Sequence, residues 1–206
     1  MRPNKFALLA VGLLVLASLS GCVGAPSATP TPGPSPTPAP VSFDQLDLTK
    51  VVLQASDLPG GYVLATQLSQ PSDLEQVFGN NLALHAGLLA GQDVAYASGS
   101  RSSGIVQVYD NAIFVYSDTV QASQAFQSLA NSFGGARIDF PELGSESIAL
   151  HRETPVIGNP NLLSYTVAVV WRQDSGVVLL DSVGNQVPIQ QMAQLAMTIQ
   201  GRIVKK

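Results

Sequence analysis

Leu162-Leu163-Ser164-Tyr165-Thr166-Val167-Ala168-Val169-Val170-Trp171 is followed, two residues on, by Asp174-Ser175-Gly176 and then by Val177-Val178-Leu179-Leu180-Asp181-Ser182-Val183. Two β-branched runs separated by an Asp-Ser-Gly turn read as an antiparallel hairpin. Pro188 then suits the first turn of a helix, because its missing N–H leaves no bond unmade there. Ile189, Met192, Ala193, Ala196, Ile199 and Ile203 form the apolar stripe of that helix, and Arg202, Lys205 and Lys206 stand at its cation-favouring end. A hairpin feeding an amphipathic helix predicts an α+β domain. The expected architecture is a mostly antiparallel sheet built of hairpins, with two to three amphipathic helices packed on one face.

Upstream the pattern recurs. Asp93 to Gly99 and Gly104 to Tyr116 flank the polar Arg101-Ser102-Ser103-Gly104, a second hairpin. Asp110-Asn111 interrupts its second strand and reads either as a bulge or as a second tight turn. Ser117 or Asp118 caps the following helix and Gly134-Gly135 ends it. Ala122, Ala125, Phe126, Leu129, Ala130 and Phe133 share one face of it. Ile138 to Phe140 and Ser147 to His151 read as short strands, and a loop holding Pro155, Gly158 and Pro160 leads to the final hairpin. Strands followed by a helix thus occur twice, so a duplicated unit is one reading, without matching residues to establish it.

Nearer the N-terminus, Asp44 to Leu48 reads as a helical turn leading into Val51-Val52-Leu53. Ser72-Asp73-Leu74-Glu75 has the form of a capping box, with Leu74, Val77 and Phe78 on the inner face of its helix. After Gly79-Asn80-Asn81, the segment Leu82 to Leu89 reads as a further helical stretch, apolar nearly all round. Leu82, Leu84, Leu88 and Leu89 are candidates to line an apolar groove for a lipid or a partner. Burial in the core is the competing reading, and the general preference of apolar side chains for the interior favours it.

Between these segments, Asp57-Leu58-Pro59-Gly60-Gly61-Tyr62 is a turn, and Tyr62 to Thr66 suits the strand after it. This turn resembles one that opens many exported bacterial domains, including small lipoproteins and the extracellular sensor domains of some bacterial serine/threonine kinases. The sensor domains carry disulfides, and this chain has a single cysteine.

That cysteine closes a leader. Arg2 and Lys5 precede an apolar run from Phe6 to Leu19, too short for a spanning helix and of the length of a secretory signal. Leu19-Ser20-Gly21-Cys22 resembles the lipobox of bacterial lipoproteins. The resemblance implies attachment of a diacylglyceryl group to Cys22 and cleavage between Gly21 and Cys22. Two acyl chains anchor stably where one does not. From Ala25 to Pro40 seven prolines alternate with small residues, a composition that builds an extended spacer and no core. The expected organisation is a lipoprotein signal peptide over 1–21, a lipidated cysteine and Pro/Thr/Ser-rich linker over 22–42, and one globular α+β domain over 43–206. The expected location is the outer face of the cytoplasmic membrane, or an outer membrane where the cell has one.

Composition narrows the function by exclusion. The net charge is −4 and the arginines are scattered singly, which argues against nucleic acid. His85 and His151 have no companion at a metal-ligand spacing. Gly99-Ser100-Arg101-Ser102-Ser103-Gly104 has arginine where a nucleophile elbow needs serine. Asp139, Glu142, Glu146 and Glu153 read as solvated acids of loops and strand edges, and Trp171 as a core or rim residue. No catalytic, cofactor or metal set is expected. The reading is a non-enzymatic binding or sensor-type domain, held to the membrane through lipid on Cys22, for an envelope protein or small ligand. A carrier of a lipid or other apolar molecule is the alternative, and an exported hydrolase the third.

Overall fold

A computed structural model of the chain describes residues 43–78, 81–98, 106–156, 159–185 and 189–204. These fall within one compact unit, Ala39–Lys206. The leader, Cys22 and the proline-rich linker lie outside the described residues, as do Gly79-Asn80, the Arg101 to Gly104 turn, Gly158, Pro188 and Lys205-Lys206.

Seven antiparallel strands form one sheet: β1 (Tyr62–Leu68), β2 (Leu88–Ser98), β3 (Val108–Tyr116), β4 (Ala136–Arg137), β5 (Glu146–Val156), β6 (Asn159–Gln173) and β7 (Gly176–Gly184). Their spatial order is β1-β2-β3-β7-β6-β5-β4. Among the described residues five helices accompany them: α1 (Leu48–Val51), α2 (Pro71–Phe78), α3 (Leu82–His85), α4 (Thr119–Phe133) and α5 (Ile189–Val204), with short 3-10 turns at Phe43–Gln45 and Ala55–Asp57. The fold is α+β, its sheet built largely of hairpins.

The helices do not share one face. Along β3, Tyr109, Ile113 and Val115 belong to one core cluster with Met192, Leu195, Ala196, Ile199 and Ile203 of α5. Ala112, Phe114 and Tyr116, which alternate with them, belong to a second cluster with Ala122, Ala125, Phe126 and Leu129 of α4. Successive strand residues point to opposite faces, so the sheet is sandwiched: α5 and the N-terminal segment cover one side, α4 and Leu74 of α2 the other. Two-sided cover explains why Ala112 to Tyr116 and Val177 to Leu180 are continuous apolar runs.

This placement also argues against a duplicated unit. A rotation that exchanges the neighbouring antiparallel strands β3 and β7 runs normal to the sheet and keeps each face on its own side. It would put α4 and α5 on one face, and they occupy opposite ones.

Several local expectations change in detail. Asp110-Asn111 makes neither a bulge nor a turn: both residues sit in register within β3, opposite Ala95 and Val94. Helix α2 starts at Pro71 rather than at Ser72, and the Gln70 carbonyl accepts from the N–H groups of Asp73 and Leu74. The segment after Asn81 is helical only to His85. Gly87, at φ +74, then turns the chain so that Leu88 and Leu89 open β2. Pro155 lies in β5 rather than in a loop. It is tolerated there because β4 covers β5 only at Leu150 and His151, leaving an edge that needs no donor. Helix α4 behaves as its sequence suggests: the Asp118 carboxylate accepts from the N–H groups of Val120 (2.9 Å) and Gln121 (2.8 Å), and Gly134 ends it at φ +60. In α5 Leu195 takes the buried place expected of Ile189, which is exposed.

Candidate functional site

The Asp57 to Tyr62 turn and α5 enclose the first site. The 3-10 turn Ala55–Asp57 is closed by the Asp57 carboxylate, whose Oδ2 accepts from the Gln54 N–H at 2.8 Å. Oδ1 of the same group accepts from Arg202 Nη2 at 2.6 Å, and Arg202 Nη1 donates to the Val52 carbonyl at 3.0 Å. Arg202 therefore does more than sit at the end of α5: it ties that helix to the turn. Leu58 is buried behind the turn, and the Tyr62 ring meets Tyr109 edge-on at 5.3 Å.

Between turn and helix runs an open groove of about 570 Å³, lined by Asp57, Leu58 and Pro59 on one side and Gln190, Gln191, Gln194, Leu195 and Thr198 on the other. Gln190, Gln194 and Thr198 are spaced at i, i+4 and i+8, so one face of α5 presents a row of hydrogen-bonding groups. Its volume lies within the range of small-ligand sites. Among the described residues, Asp57 is its one ionisable lining group, and both its oxygens are engaged.

A second cluster lies on the α4 side of the sheet, and the sequence reading passed over it. Asp110 stands directly opposite Asp181 across β3 and β7. Asp93 of β2 is opposite Ala112, one step diagonal to Asp110 on the same face. Asp93 is 7% exposed. Burial holds the Asp93 carboxyl above the ordinary carboxylate range, and a hydrogen bond from the Asp110 carboxyl offsets part of that rise. Burial, with the bond to Asp93 and the charges of Asp93 and Asp181, raises Asp110 to about 9. Burial, then the charge of Asp93, raises Asp181 to about 7. Among the described residues no group of three or more His, Cys, Asp or Glu is placed to hold a metal ion. The signal that would have found the cluster is compositional: three aspartates, each inside an apolar strand run, where aspartate is disfavoured.

The residues singled out from sequence are spread through the fold. Leu84 is 3% exposed in the α4-side cluster, and Leu88 packs against that cluster from the start of β2. Leu89 falls where the β2 register shifts and is 61% exposed. The side chain of Leu82 lies outside the described residues. Leu84, Leu88 and Leu89 thus do not line one groove. The His151 ring is half-buried and stacks on Tyr165 with centroids 6.0 Å apart. Glu146 pairs with Arg172 at 3.0 Å, while Asp139, Glu142 and Glu153 are exposed. Trp171 is fully buried and its indole N–H donates to Gln200 Oε1 at 2.7 Å.

No protein-family model matches the chain, and no curated protein matches it. A solved structure shares its fold. The extracellular domain of PknH from Mycobacterium tuberculosis superposes with a TM-score of 0.50 at 12% identity, over 82% of this chain and 99% of that one. A putative uncharacterised protein of Mycobacterium smegmatis, an Rv0999 ortholog, matches with a TM-score of 0.41 at 11% identity, over 73% of this chain and 93% of that one.

Proposed function

We propose that this chain is an exported domain, anchored through lipid on Cys22, which binds a ligand or another envelope protein in the groove between the Asp57 to Pro59 turn and α5 and performs no chemistry on it. The groove carries this reading. It offers amides, a hydroxyl and an apolar floor of Leu58, Pro59 and Leu195, which suit recognition. A hydrolase needs a nucleophile or a pair of proton-exchanging groups converging on one point, and the one acid of the lining is committed to Arg202 and the Gln54 backbone. The resemblance of Leu19-Ser20-Gly21-Cys22 to a lipobox supports the anchor, and the fold shared with an extracellular domain supports display outside the cytoplasm.

The parts separate in experiment. Mass spectrometry of the membrane-extracted chain is expected to find diacylglyceryl on an N-terminal Cys22, and an unmodified Cys22 defeats the anchor. NMR titration with a panel of neutral oligosaccharides and short peptides is expected to shift the Gln190, Gln194 and Thr198 resonances. Turnover of esters, glycosides or peptides by the purified chain defeats the non-enzymatic reading.

A further inference from the structure

The strand order makes β3–β7 the single seam between the first half of the sheet, β1 to β3, and the second, β4 to β7. Side chains reinforce it along its length. Asn111 Nδ2 donates to the Leu179 carbonyl at 2.7 Å, Gln107 Nε2 to Ser182 Oγ at 2.7 Å, and Ser182 Oγ to the Val108 carbonyl at 3.0 Å. Against this, the Asp110–Asp181 pair puts two like groups directly opposite each other, an arrangement that destabilises a sheet when both are ionised. Asp93 adds a third carboxyl on the same face, with its Oδ1 buried and without a hydrogen-bond partner.

We propose that Asp93, Asp110 and Asp181 form a proton-held clasp at the seam of the sheet, which keeps the two halves together in acid and weakens their junction as the protons leave. With protons on these groups the Asp110 carboxyl donates to Asp93 on β2, Asp181 faces Asp110 without a second charge opposite it, and the seam is neutral or singly charged. Without them, three carboxylates face each other over small neighbours, Ala95, Ala112 and Ala168, that offer no donor.

Among the described residues, the elements packed against the three aspartates show no cation paired with them. β1 carries no charged residue, α4 carries none, and the facing positions of β6 are Ala168 and Thr166. Helix α2 adds Asp73 and Glu75, the latter with its side chain outside the described residues, and α3 ends on His85. On β5, Arg152 donates to the Phe133 carbonyl, and Arg172 of β6 is paired with Glu146. Arg101, in the β2–β3 connection, lies outside the described residues.

The direction follows from linkage. Groups whose folded values stand above the ordinary carboxylate range bind more protons folded than unfolded. Their contribution is intact below that range, declines as pH rises through about 7 and is gone above about 9.

The test is the thermal midpoint of the full chain in detergent, followed from about pH 5 to about pH 9. We expect a fall of roughly 5 °C or more on the alkaline side. Asp110→Asn and Asp181→Asn should each flatten the profile, while the exposed Asp139→Asn keeps the wild-type slope. A wild-type profile without slope overturns the clasp, as does an unchanged slope in both amide variants. Should those variants fail to fold, infrared spectroscopy of the wild type decides. The band of a protonated carboxylic acid must persist near pH 6, where ordinary aspartates are ionised, and its absence overturns the proposal.

Discussion

Asn111 shows how much one polar side chain carries in this fold. It is fully buried; its Oδ1 accepts from the Leu53 N–H at 2.8 Å and its Nδ2 donates to the Leu179 carbonyl at 2.7 Å. One amide therefore fastens the N-terminal segment to β3 and β3 to β7. Asn111→Ala removes the partner of the Leu53 N–H and one donor to the Leu179 carbonyl, and should cost about 2–3 kcal/mol in urea denaturation. A loss below about 0.5 kcal/mol would mean that water replaces the amide at both ends. From sequence the residue resembled a strand breaker, because asparagine is disfavoured in strands. Only the approach of Leu53 and Leu179 makes it a tie, and that approach depends on partners 58 and 68 positions away.

At the scale of elements, the α3–β2 junction shows where a local pattern misleads. Leu82 to Leu89 is apolar but for His85, and apolarity alone does not distinguish a helix from a strand start. Gly87 decides it, by adopting φ +74 with its carbonyl accepting from the Ser117 N–H at 2.8 Å. A Cβ there would also meet Ser117 Oγ at 2.8 Å and Gln121 Cγ at 2.9 Å. Gly87→Ala should accordingly destabilise the domain by roughly 1–3 kcal/mol, read as a lowered denaturation midpoint. Helix α4, by contrast, was legible apart from the choice of Ser117 or Asp118 as its cap: Asp118, its apolar stripe and Gly134 lie in or beside the element, and each acts on its immediate neighbours.

At the scale of the molecule, the two halves of the sheet meet along β3 and β7, and each half sends its helix to a different face. The polar ties across that junction predict one cooperative unit. Trp171, the single tryptophan, reports on the second half, where it is buried against α5. Its fluorescence should change with the same denaturation midpoint as the far-ultraviolet circular dichroism of the whole sheet. Two separated midpoints would show that the seam parts first. Alkaline pH is the condition under which such a separation should emerge, because the carboxyls at the seam then carry most charge.

The amino-acid sequence by itself determined the α+β class, the antiparallel hairpins, the capped helix after Asp118 and the turn at Asp57 to Tyr62, since each rests on periodicity or on residues a few positions apart. It also carried a hint of two-sided cover, in apolar runs that do not alternate. Tertiary structure alone decided that the helices divide between the faces, that Arg202 reaches back to Asp57, and that three aspartates from three strands share one patch. These depend on which strands become neighbours and in what register. A shift of one residue in that register would turn every side chain to the opposite face, so the seam and its carboxyls exist only in the assembled sheet.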